Sequence, residues 1–296
     1  IKQEEPTEPD ENTPISTLSK YLSHPEWLIN KWIKDHDYSR ARDLAEWNNA
    51  TPSLWFRVNC LNYSLSRFKD YLKKHQISFK QFQHIPEYFK TDNGQFILHS
   101  ELFKDGKISV QDPAAGLVIQ LLNPEKSDTI LDVCAAPGGK TSYMAELMKN
   151  SGNIIAFDIN ENRLNLLNNT IKRLQLTNVE TSLRDVTNKN IPMSNKMLLD
   201  VPCSGTGVMS KRADIRWRRS IEDILEMHLL QRKILWAAQK FIKPGGIIIY
   251  STCSIEPEEN WMVIEAFLKT HPKYSIENAK YYIPNEYVDK NGSMFT

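Results

Sequence analysis

The sequence predicts an α/β protein whose larger part is a doubly wound parallel sheet of the Rossmann type. After residue 116, short apolar runs alternate with segments in which apolar residues recur at helical spacing. This alternation predicts parallel strands joined by right-handed helical crossovers. Glycine, acidic residues or cysteine follow directly after several of the apolar runs. Because such sheets bind ligands beyond the carboxyl ends of their strands, we expect the functional site at that edge.

The predicted elements of this sheet follow one another in regular order. Strands are expected at 129–133, 153–159, 179–183, 197–201 and 246–251, and helices near 139–149, 160–175, 221–241 and 257–269. The carboxyl ends of parallel strands meet at one edge, so residues that follow different strands are expected to gather there.

Composition places the chain among ordinary globular proteins. Of its 296 residues, 41% are hydrophobic and 25% are charged, which excludes a disordered or fibrous class. The formal net charge is only +1, but the acids among residues 1–11 leave the remainder mildly basic. The chain has no apolar run long enough for a membrane helix and no leader-like start, so we expect a cytoplasmic protein without membrane contact.

The cysteines do not form a metal-binding pattern. Cys60, Cys134, Cys203 and Cys253 stand alone in the sequence, with neither a Cys-x-x-Cys pair nor histidines at ligand spacing. Isolated thiols in a chain of this size fit a reducing compartment. We therefore expect no bound metal. Separately, we expect the protein to be a monomer.

Four segments are predicted along the chain. Residues 1–14 are acidic and proline-rich and are expected to be a linker, and the start at Ile1 suggests that further sequence precedes it. Residues 15–50 are predicted to be helical, 51–110 a small α/β RNA-binding domain, and 111–296 the sheet domain. Strands of the small domain are expected at 53–59, 79–85, 96–99 and 107–110, and its helix at 64–75. Residues 283–296 lack a closing apolar strand, which predicts truncation or disorder at the C-terminus.

The segment from Cys134 to Thr141 follows the first strand of the sheet and reads as a tight turn into a helix. Its glycines permit close backbone approach, and the helix N-terminus favours a polar or anionic ligand. The segment differs from a phosphate-binding P-loop only at Cys134, where the P-loop has glycine, and Asp200 could order magnesium. A nucleotide hydrolase is therefore the alternative. A side chain where that glycine makes the turn would cost about 1 kcal/mol or more.

One acidic residue lies at the end of the second strand and another just after the third. Asp158 lies 19 residues after Gly139, near the spacing at which a carboxylate receives ribose hydroxyls in Rossmann-type sites. Asp185 follows the third strand and could accept a hydrogen bond from an adenine amino group. The alternative for both is a helix cap or a solvated loop acid.

Cysteines follow the fourth and fifth strands. Cys203 comes shortly after Asp200, and Cys253 shortly before a helix start marked by Pro257. A single buried cysteine is usually a small hydrophobic residue. Two cysteines at neighbouring strand ends instead indicate nucleophilic chemistry, because a helix N-terminus or a cation can favour the reactive thiolate.

A basic run lies between these two cysteines. Its members are Lys211, Arg212, Arg216, Arg218 and Arg219, with Trp217 among them. Cations favour phosphates and an exposed aromatic ring can stack on an unpaired base, so the run predicts a nucleic-acid contact. The alternative is a solvated helix start with Trp217 in the core.

The combined segments LDVCAAPGGKT, AFDIN, LLDVPCSGTGV and YSTCSIEPEEN, together with Gln111-Asp112, resemble the RNA cytosine-5 methyltransferase family, the RsmB/NSUN group. SHPEWLINKWI is similar to the RsmB-type ribosomal RNA enzymes in particular. The resemblance runs from about residue 20 to 270 and implies a class I methyltransferase fold. It implies methylation of cytosine in RNA, ribosomal or, as the alternative within the family, transfer RNA.

The resemblance also implies catalytic roles. Cys253 would attack carbon 6 of the cytosine, which makes carbon 5 nucleophilic toward the methyl group of S-adenosyl-L-methionine. Asp200 would hydrogen-bond N3 and the exocyclic amine, Lys140 would orient the acid or the base, and Cys203 would assist breakdown of the adduct. The target base has to leave its stack, so a single-stranded or flipped cytosine is expected.

The cofactor contacts implied by the resemblance lie on the first four strand ends. The methionine part would lie on Cys134, Ala135, Ala136, Pro137, Gly138, Gly139 and Lys140, near Asp200. Asp158 would bind the ribose, Arg163 nearby polar groups and Asp185 the adenine. The sequence departs from the family at Arg212-Ala213-Asp214, where the family commonly has proline in place of Ala213. The missing proline affects the expected path of this loop and not the chemistry.

Overall fold

The computed structural model describes residues 8–187 and 191–296. They divide into two compact units. The first unit comprises residues up to Pro52 together with Cys203–Leu230 and Thr252–Val263, and the second comprises Ser53–Pro202, Gln231–Ser251 and Ile264–Thr296.

Strands and helices alternate along most of the chain. The helices are α1 Ile15–Leu22, α2 Glu26–Asp35, α3 Tyr38–Asn49, α4 Leu65–Lys74, α5 Gly94–His99, α6 Glu101–Lys104, α7 Pro113–Leu122, α8 Gly139–Leu147, α9 Glu161–Leu174, α10 Ile215–Arg218, α11 Ile221–Ala238 and α12 Trp261–Thr270. The strands are β1 Trp55–Val58, β2 Phe79–Gln81, β3 Tyr88–Thr91, β4 Ile108–Val110, β5 Thr129–Val133, β6 Asn153–Asp158, β7 Val179–Leu183, β8 Ser194–Asp200 and β9 Ile242–Ser251.

The first unit has its own hydrophobic core, as the predicted helical segment requires. Helices α1 to α3 bury one apolar face each, and the core residues are Leu18, Leu22, Leu28, Ile29, Trp32, Ala41, Ala45 and Met209. The Trp32 indole N–H donates to the Glu256 carboxylate across 3.2 Å. The short helices are therefore stabilised mainly by packing on chain segments distant in sequence.

The small sheet of the second unit is antiparallel and has the strand order β2-β3-β1-β4. Helix α4 packs Phe68 and Leu72 against it, as its helical spacing predicts. The strand expected at 96–99 is wrong, because that segment is part of helix α5. The Asn93 side chain caps this helix by accepting the Phe96 N–H at 3.2 Å. Strand β3, which we did not predict, supplies the missing strand.

The large sheet confirms the predicted fold class. Within the described residues its five strands are all parallel and lie in the order β7-β6-β5-β8-β9. The chain runs outward from β5 through β6 to β7 and then returns to the other side of β5 at β8. The carboxyl ends of β5 and β8 therefore form the topological switch point, where doubly wound sheets bind ligands.

A buried charge network lies under the start of helix α8. The guanidinium of Arg57, on β1, donates to Glu146 at 2.7 Å, to the Ser142 hydroxyl at 3.0 Å and to the Gly139 carbonyl at 3.2 Å. It also donates to Gln111, whose side-chain oxygen accepts the Tyr88 hydroxyl at 2.7 Å. Breaking such a buried pair typically costs 3–5 kcal/mol, so the network fixes the first turn of α8 firmly.

No helix in the described part of the chain is long and apolar enough to cross a membrane.

Candidate active site

The loop after β5 is shaped by two residues in the left-handed region. Cys134 has φ +66° and Gly138 has φ +99°, and helix α8 begins at Gly139. The loop is tied down where the Ala135 N–H donates to the Phe157 carbonyl at 3.0 Å and the Gly138 N–H to the Ala135 carbonyl at 2.9 Å. We expected a side chain at position 134 to be strained and therefore to argue against a P-loop. Cys134 does adopt the left-handed conformation, and the fold tolerates it. Backbone shape alone does not separate the two alternatives.

Burial raises the pKa of two groups at this loop, the Asp132 carboxyl and the Cys134 thiol. Asp132 is fully buried, and burial raises its pKa to about 7, although the Thr141 hydroxyl donates to it at 2.6 Å. Burial, followed by the carboxylates of Asp158 and Asp132, raises the pKa of the Cys134 thiol to about 12. Cys134 therefore stays protonated at neutral pH and lines the loop without acting as a nucleophile.

Asp158 lies at the end of β6 in a position suited to a hydroxyl-bearing ligand. Its side chain is 3% exposed, and one oxygen accepts the Asn160 N–H at 3.0 Å. The other oxygen, Oδ2, is buried without a hydrogen-bond partner among the described residues, and the Arg163 guanidinium lies 3.5 Å from it. Arg163 also donates to the Ala136 carbonyl. A buried carboxylate oxygen in this state lacks the hydrogen-bond donor that such groups ordinarily have in folded proteins.

Asp185 is exposed at the end of β7. Its carboxylate accepts the Thr187 N–H at 2.8 Å, and this backbone hydrogen bond lowers its pKa. Its present hydrogen bonds, both from Thr187, are those of a solvated loop acid.

Lys140 and Asp200 form an ion pair. The Lys140 Nζ lies 2.7 Å from Asp200 Oδ2, and both side chains are partly exposed. The Ser251 hydroxyl donates to the other Asp200 oxygen at 2.8 Å. Helix α8 and strands β8 and β9 therefore hold the Asp200 carboxylate from two sides.

The two cysteines after β8 and β9 lie side by side in the first unit. Their sulfur atoms are 2.7 Å apart, and the Cys253 backbone N–H donates to the Cys203 sulfur at 3.3 Å. Both are free thiols; Cys253 is exposed and Cys203 half-buried. The hydrogen bond with Cys253, followed by burial, raises the pKa of Cys203 far above its usual range. The sequence predicted that these thiols would meet, and they do.

A buried carboxylate that we did not predict lies behind the thiols. Glu259 is 0% exposed and binds both Ser204 and Ser254, the residues that directly follow the two cysteines. The repeated Cys-Ser pair and the acids of PEEN are the sequence signal that could have indicated this cluster.

The basic run separates into exposed and buried members. Arg216 is only 5% exposed and donates to the carbonyls of Ser23 and Asn48 at 3.1 and 3.0 Å. The prediction that Arg216 contacts RNA is therefore wrong, because its guanidinium is buried in the first unit and donates hydrogen bonds there. Arg219 donates to the Ser204 carbonyl at 3.0 Å and so supports the Cys203 loop.

The remaining members of the run face outward. Trp217 is 63% exposed, so the alternative that placed it in the core is wrong. The side chains of Lys211, Arg212 and Arg218 are exposed as well. At Ala213, where the family commonly has proline, the chain makes a turn in which the Ile215 N–H donates to the Arg212 carbonyl at 3.1 Å, and helix α10 follows.

The sheet order, the loop at the switch point and the Asp158 carboxylate define a Rossmann-type methyltransferase fold. A family model described as 16S rRNA methyltransferase RsmB/F matches residues 119–294, and one described as the RsmF/B-like ferredoxin-like domain matches residues 24–95. The chain belongs to the RsmB/F methyltransferase family.

Individual relatives agree with this assignment. The chain is 36% identical over 262 residues to the ribosomal RNA small subunit methyltransferase B of Yersinia pseudotuberculosis. This alignment covers 88% of this chain and 60% of that protein. The chain thus spans about 60% of the length of the curated relatives it matches.

Two solved structures have the same fold. A methyltransferase homolog from Pyrococcus horikoshii superposes with a TM-score of 0.77 and 32% identity, over 87% of this chain and 83% of that one. NSun6 from Pyrococcus horikoshii, solved with SFG, gives a TM-score of 0.76 at 22% identity, over 83% of this chain and 87% of that one. The second similarity bears on the fold alone.

Proposed function

We propose that this protein methylates carbon 5 of a cytosine in small-subunit ribosomal RNA, using S-adenosyl-L-methionine and a transient bond between Cys253 and the base. The observation that carries the proposal is the pair of free thiols, 2.7 Å apart, in loops that follow directly from β8 and β9. Carbon 5 of a neutral pyrimidine is a poor nucleophile, and covalent attack at carbon 6 overcomes this.

The environments of the two thiols support different roles. Cys253 is exposed and accessible to a flipped base, whereas Cys203 is half-buried and holds its proton because its pKa is raised. We assign attack on carbon 6 to Cys253 and assistance in breaking the adduct to Cys203. When the Cys253 sulfur bonds to carbon 6, the hydrogen bond that most raises the Cys203 pKa is lost. Cys203 can then lose its thiol proton to solvent, and its thiolate takes the carbon 5 proton as the Cys253–carbon bond breaks.

Asp200 is proposed to hold the cytosine ring. Its carboxylate is positioned by Lys140 at 2.7 Å and by Ser251 at 2.8 Å. A proton shared between Asp200 and N3 of the ring would polarise the base for attack at carbon 6, and Lys140 would keep the carboxyl group oriented. Cys203 follows Asp200 by three positions in the chain.

The cofactor contacts proposed here are those whose surroundings fit it. S-adenosylmethionine supplies the methyl group when it is bound. The loop from Cys134 to Lys140 would receive its methionine part, and the buried Asp158 oxygen would accept a ribose hydroxyl. Arg163 would steady Asp158, and Asp185 would bind the adenine amine. Membership of the RsmB/F methyltransferase family supports this choice of cofactor.

Ribosomal RNA is proposed as the substrate because relatives that share a third of their residues with the chain carry that name. Lys211, Arg212 and Arg218 would contact phosphates, and exposed Trp217 would stack on an unpaired base. The ferredoxin-like domain and the helices before it would add further RNA contacts. Transfer RNA remains the alternative substrate, and ATP the alternative ligand of the first loop.

The proposal is tested by identifying the methylated nucleoside. The protein is incubated with small-subunit ribosomal RNA and methyl-labelled S-adenosylmethionine, and the digested RNA is separated by chromatography. We expect label in 5-methylcytidine and a loss of on the order of 10³-fold or more in Cys253→Ala. Label in another nucleoside, or undiminished activity of Cys253→Ala, would reject the mechanism.

Matched incubations decide between the alternatives. Transfer RNA replaces ribosomal RNA in one, and titration calorimetry compares ATP with S-adenosylmethionine in the other. Preferential methylation of transfer RNA would change the substrate, and tight binding of ATP without binding of S-adenosylmethionine would support the nucleotide hydrolase. Cys60→Ser is the control for thiol removal, since Cys60 lies far from these loops in sequence and burial raises its pKa to about 12.

A further inference from the structure

The loops that carry the thiols are joined by one buried carboxylate. Glu259 Oε2 accepts the Ser204 backbone N–H at 2.8 Å, and Oε1 accepts the hydroxyl of Ser254 at 2.6 Å and that of Ser204. The two serine hydroxyls are 3.2 Å apart. Since Ser204 directly follows Cys203 and Ser254 directly follows Cys253, a single side chain holds the neighbour of each thiol.

Additional bonds strengthen the same connection. The Thr206 hydroxyl lies 3.1 Å from that of Ser254 and accepts the Ile255 N–H at 3.1 Å. The Gly207 N–H donates to the Cys253 carbonyl at 3.0 Å. A β-carbon on Gly207 would lie 2.9 Å from that oxygen, so only glycine allows the two backbones to approach this closely.

The burial of the Glu259 carboxylate has to be compensated by hydrogen bonds. Removing a carboxylate from water is costly unless hydrogen bonds replace its hydration. Glu259 is 0% exposed, and its carboxylate binds the backbone N–H and the hydroxyl of Ser204 and the hydroxyl of Ser254. Charge-assisted hydrogen bonds are short and directional, which makes them suited to fixing a distance.

We propose that Glu259 is a positioning residue that holds the Cys203 and Cys253 loops in register, so that one thiol can attack the base and the other can release it. Its consequence for catalysis rests on the proposed function. Glu259 holds Ser204 through two atoms and Ser254 through one, so its loss should displace Cys203 more than Cys253. Release of the adduct should therefore suffer more than its formation.

A chemical test of this arrangement does not depend on methyltransferase activity. Oxidised glutathione converts two adjacent thiols into a disulfide and is itself reduced to two glutathione molecules. The rate of Cys203–Cys253 disulfide formation, followed by alkylation and peptide mapping, reports how well the thiols are aligned. We expect Glu259→Ala to slow it at least about 10-fold, since displacement by 1 Å has large effects on reactions between positioned groups.

Matched variants separate positioning from general damage. Glu258→Ala removes the adjacent acid, which pairs with Lys31 at 2.8 Å and does not bind the serines, and should oxidise at the unmodified rate. Glu259→Gln keeps an acceptor for the Ser204 N–H and should recover most of the rate. If Glu259→Ala does not fold, the rate of disulfide formation is measured in Ser204→Ala instead. We expect this rate to fall by a smaller factor than in Glu259→Ala. Oxidation of Glu259→Ala or of a folded Ser204→Ala at the unmodified rate would overturn the proposal.

The catalytic consequence is measured separately on ribosomal RNA. Glu259→Ala should lower kcat by about 10- to 100-fold while the KM for RNA stays within about 3-fold, and a protein–RNA adduct should accumulate on a denaturing gel. Slower disulfide formation without methylation by the unmodified protein would reject the proposed function and retain the positioning role. A higher KM with unchanged kcat and no adduct would reject the catalytic role of Glu259.

Discussion

The loop after β5 and the pair of thiol-bearing loops are built in different ways. The first takes its shape from the backbone, through left-handed residues at Cys134 and Gly138 and bonds to the neighbouring strand. The thiol loops take theirs from side chains, through Glu259 and the serines that it binds. A backbone-built loop tolerates changes in its side chains, whereas a loop held by one buried carboxylate does not. This difference orders the expected effects of substitution.

The largest effect expected in the first loop region comes from a side chain beside it. Asp158→Asn replaces a buried carboxylate oxygen with an amide and removes an acceptor for the ribose. We expect S-adenosylmethionine binding to weaken by about 1.5–3 kcal/mol, the usual worth of a hydrogen bond to a charged group. Titration calorimetry measures this.

Asp185→Asn is the matched comparison, because it removes a carboxylate from the exposed end of the next strand. A smaller loss is expected there. Equal losses in both variants would contradict the special role of the buried oxygen, and no loss in Asp158→Asn would remove the ribose contact.

An intermediate effect is expected from the buried acid of β5. The pKa of Asp132 is raised to about 7 in the folded protein from an ordinary value of 3.8. The folded state therefore binds the proton more tightly, so this contribution to stability is fully present below the ordinary value and is lost as pH rises through about 7. Asp132→Asn should flatten the fall in Tm between acid and neutral pH. The same slope in both proteins would contradict the buried, proton-binding state of Asp132.

The smallest effect is expected at Cys134. Because its φ is +66°, Cys134→Gly relieves a left-handed conformation, whereas Cys134→Ala keeps it. Glycine in place of alanine normally destabilises a folded protein by about 0.5–1 kcal/mol, but here we expect the glycine variant to be at least as stable as the alanine variant. Urea unfolding measures the order.

Cys134→Gly also completes the P-loop pattern. Methylation should stay within a few-fold of the unmodified protein, because the backbone and not the thiol shapes the loop. Gain of ATP binding in this variant would show that the loop is closer to a nucleotide site than we infer.

The sequence predicted the parts of the molecule that depend on periodicity and on strand ends. Alternating strands and helices placed Asp158 and Asp200 at the carboxyl ends of strands and both cysteines shortly after such ends, and β6, β8 and β9 end accordingly. The backbone-shaped loop was also readable, since glycines and proline mark it directly.

Tertiary contacts decided what the sequence could not. Arg216 and Arg218 lie in one basic run, yet only Arg216 is buried, because carbonyls of α3 and the α1–α2 turn face it. Residues 96–99 are apolar enough for a strand, but the Asn93 cap starts a helix there. The sequence does not distinguish Glu259 from the other acids near it. Its role is visible only in the fold, which brings to it two serines that lie 55 and 5 positions away in the chain.

The most direct test of the central claim is the fate of the adduct in thiol variants on ribosomal RNA with S-adenosylmethionine. Cys203→Ala should accumulate a protein–RNA complex that survives a denaturing gel, and the double variant with Cys253→Ala should form none. An adduct in Cys253→Ala that depends on Cys203 would contradict the account, because it would make Cys203 the nucleophile.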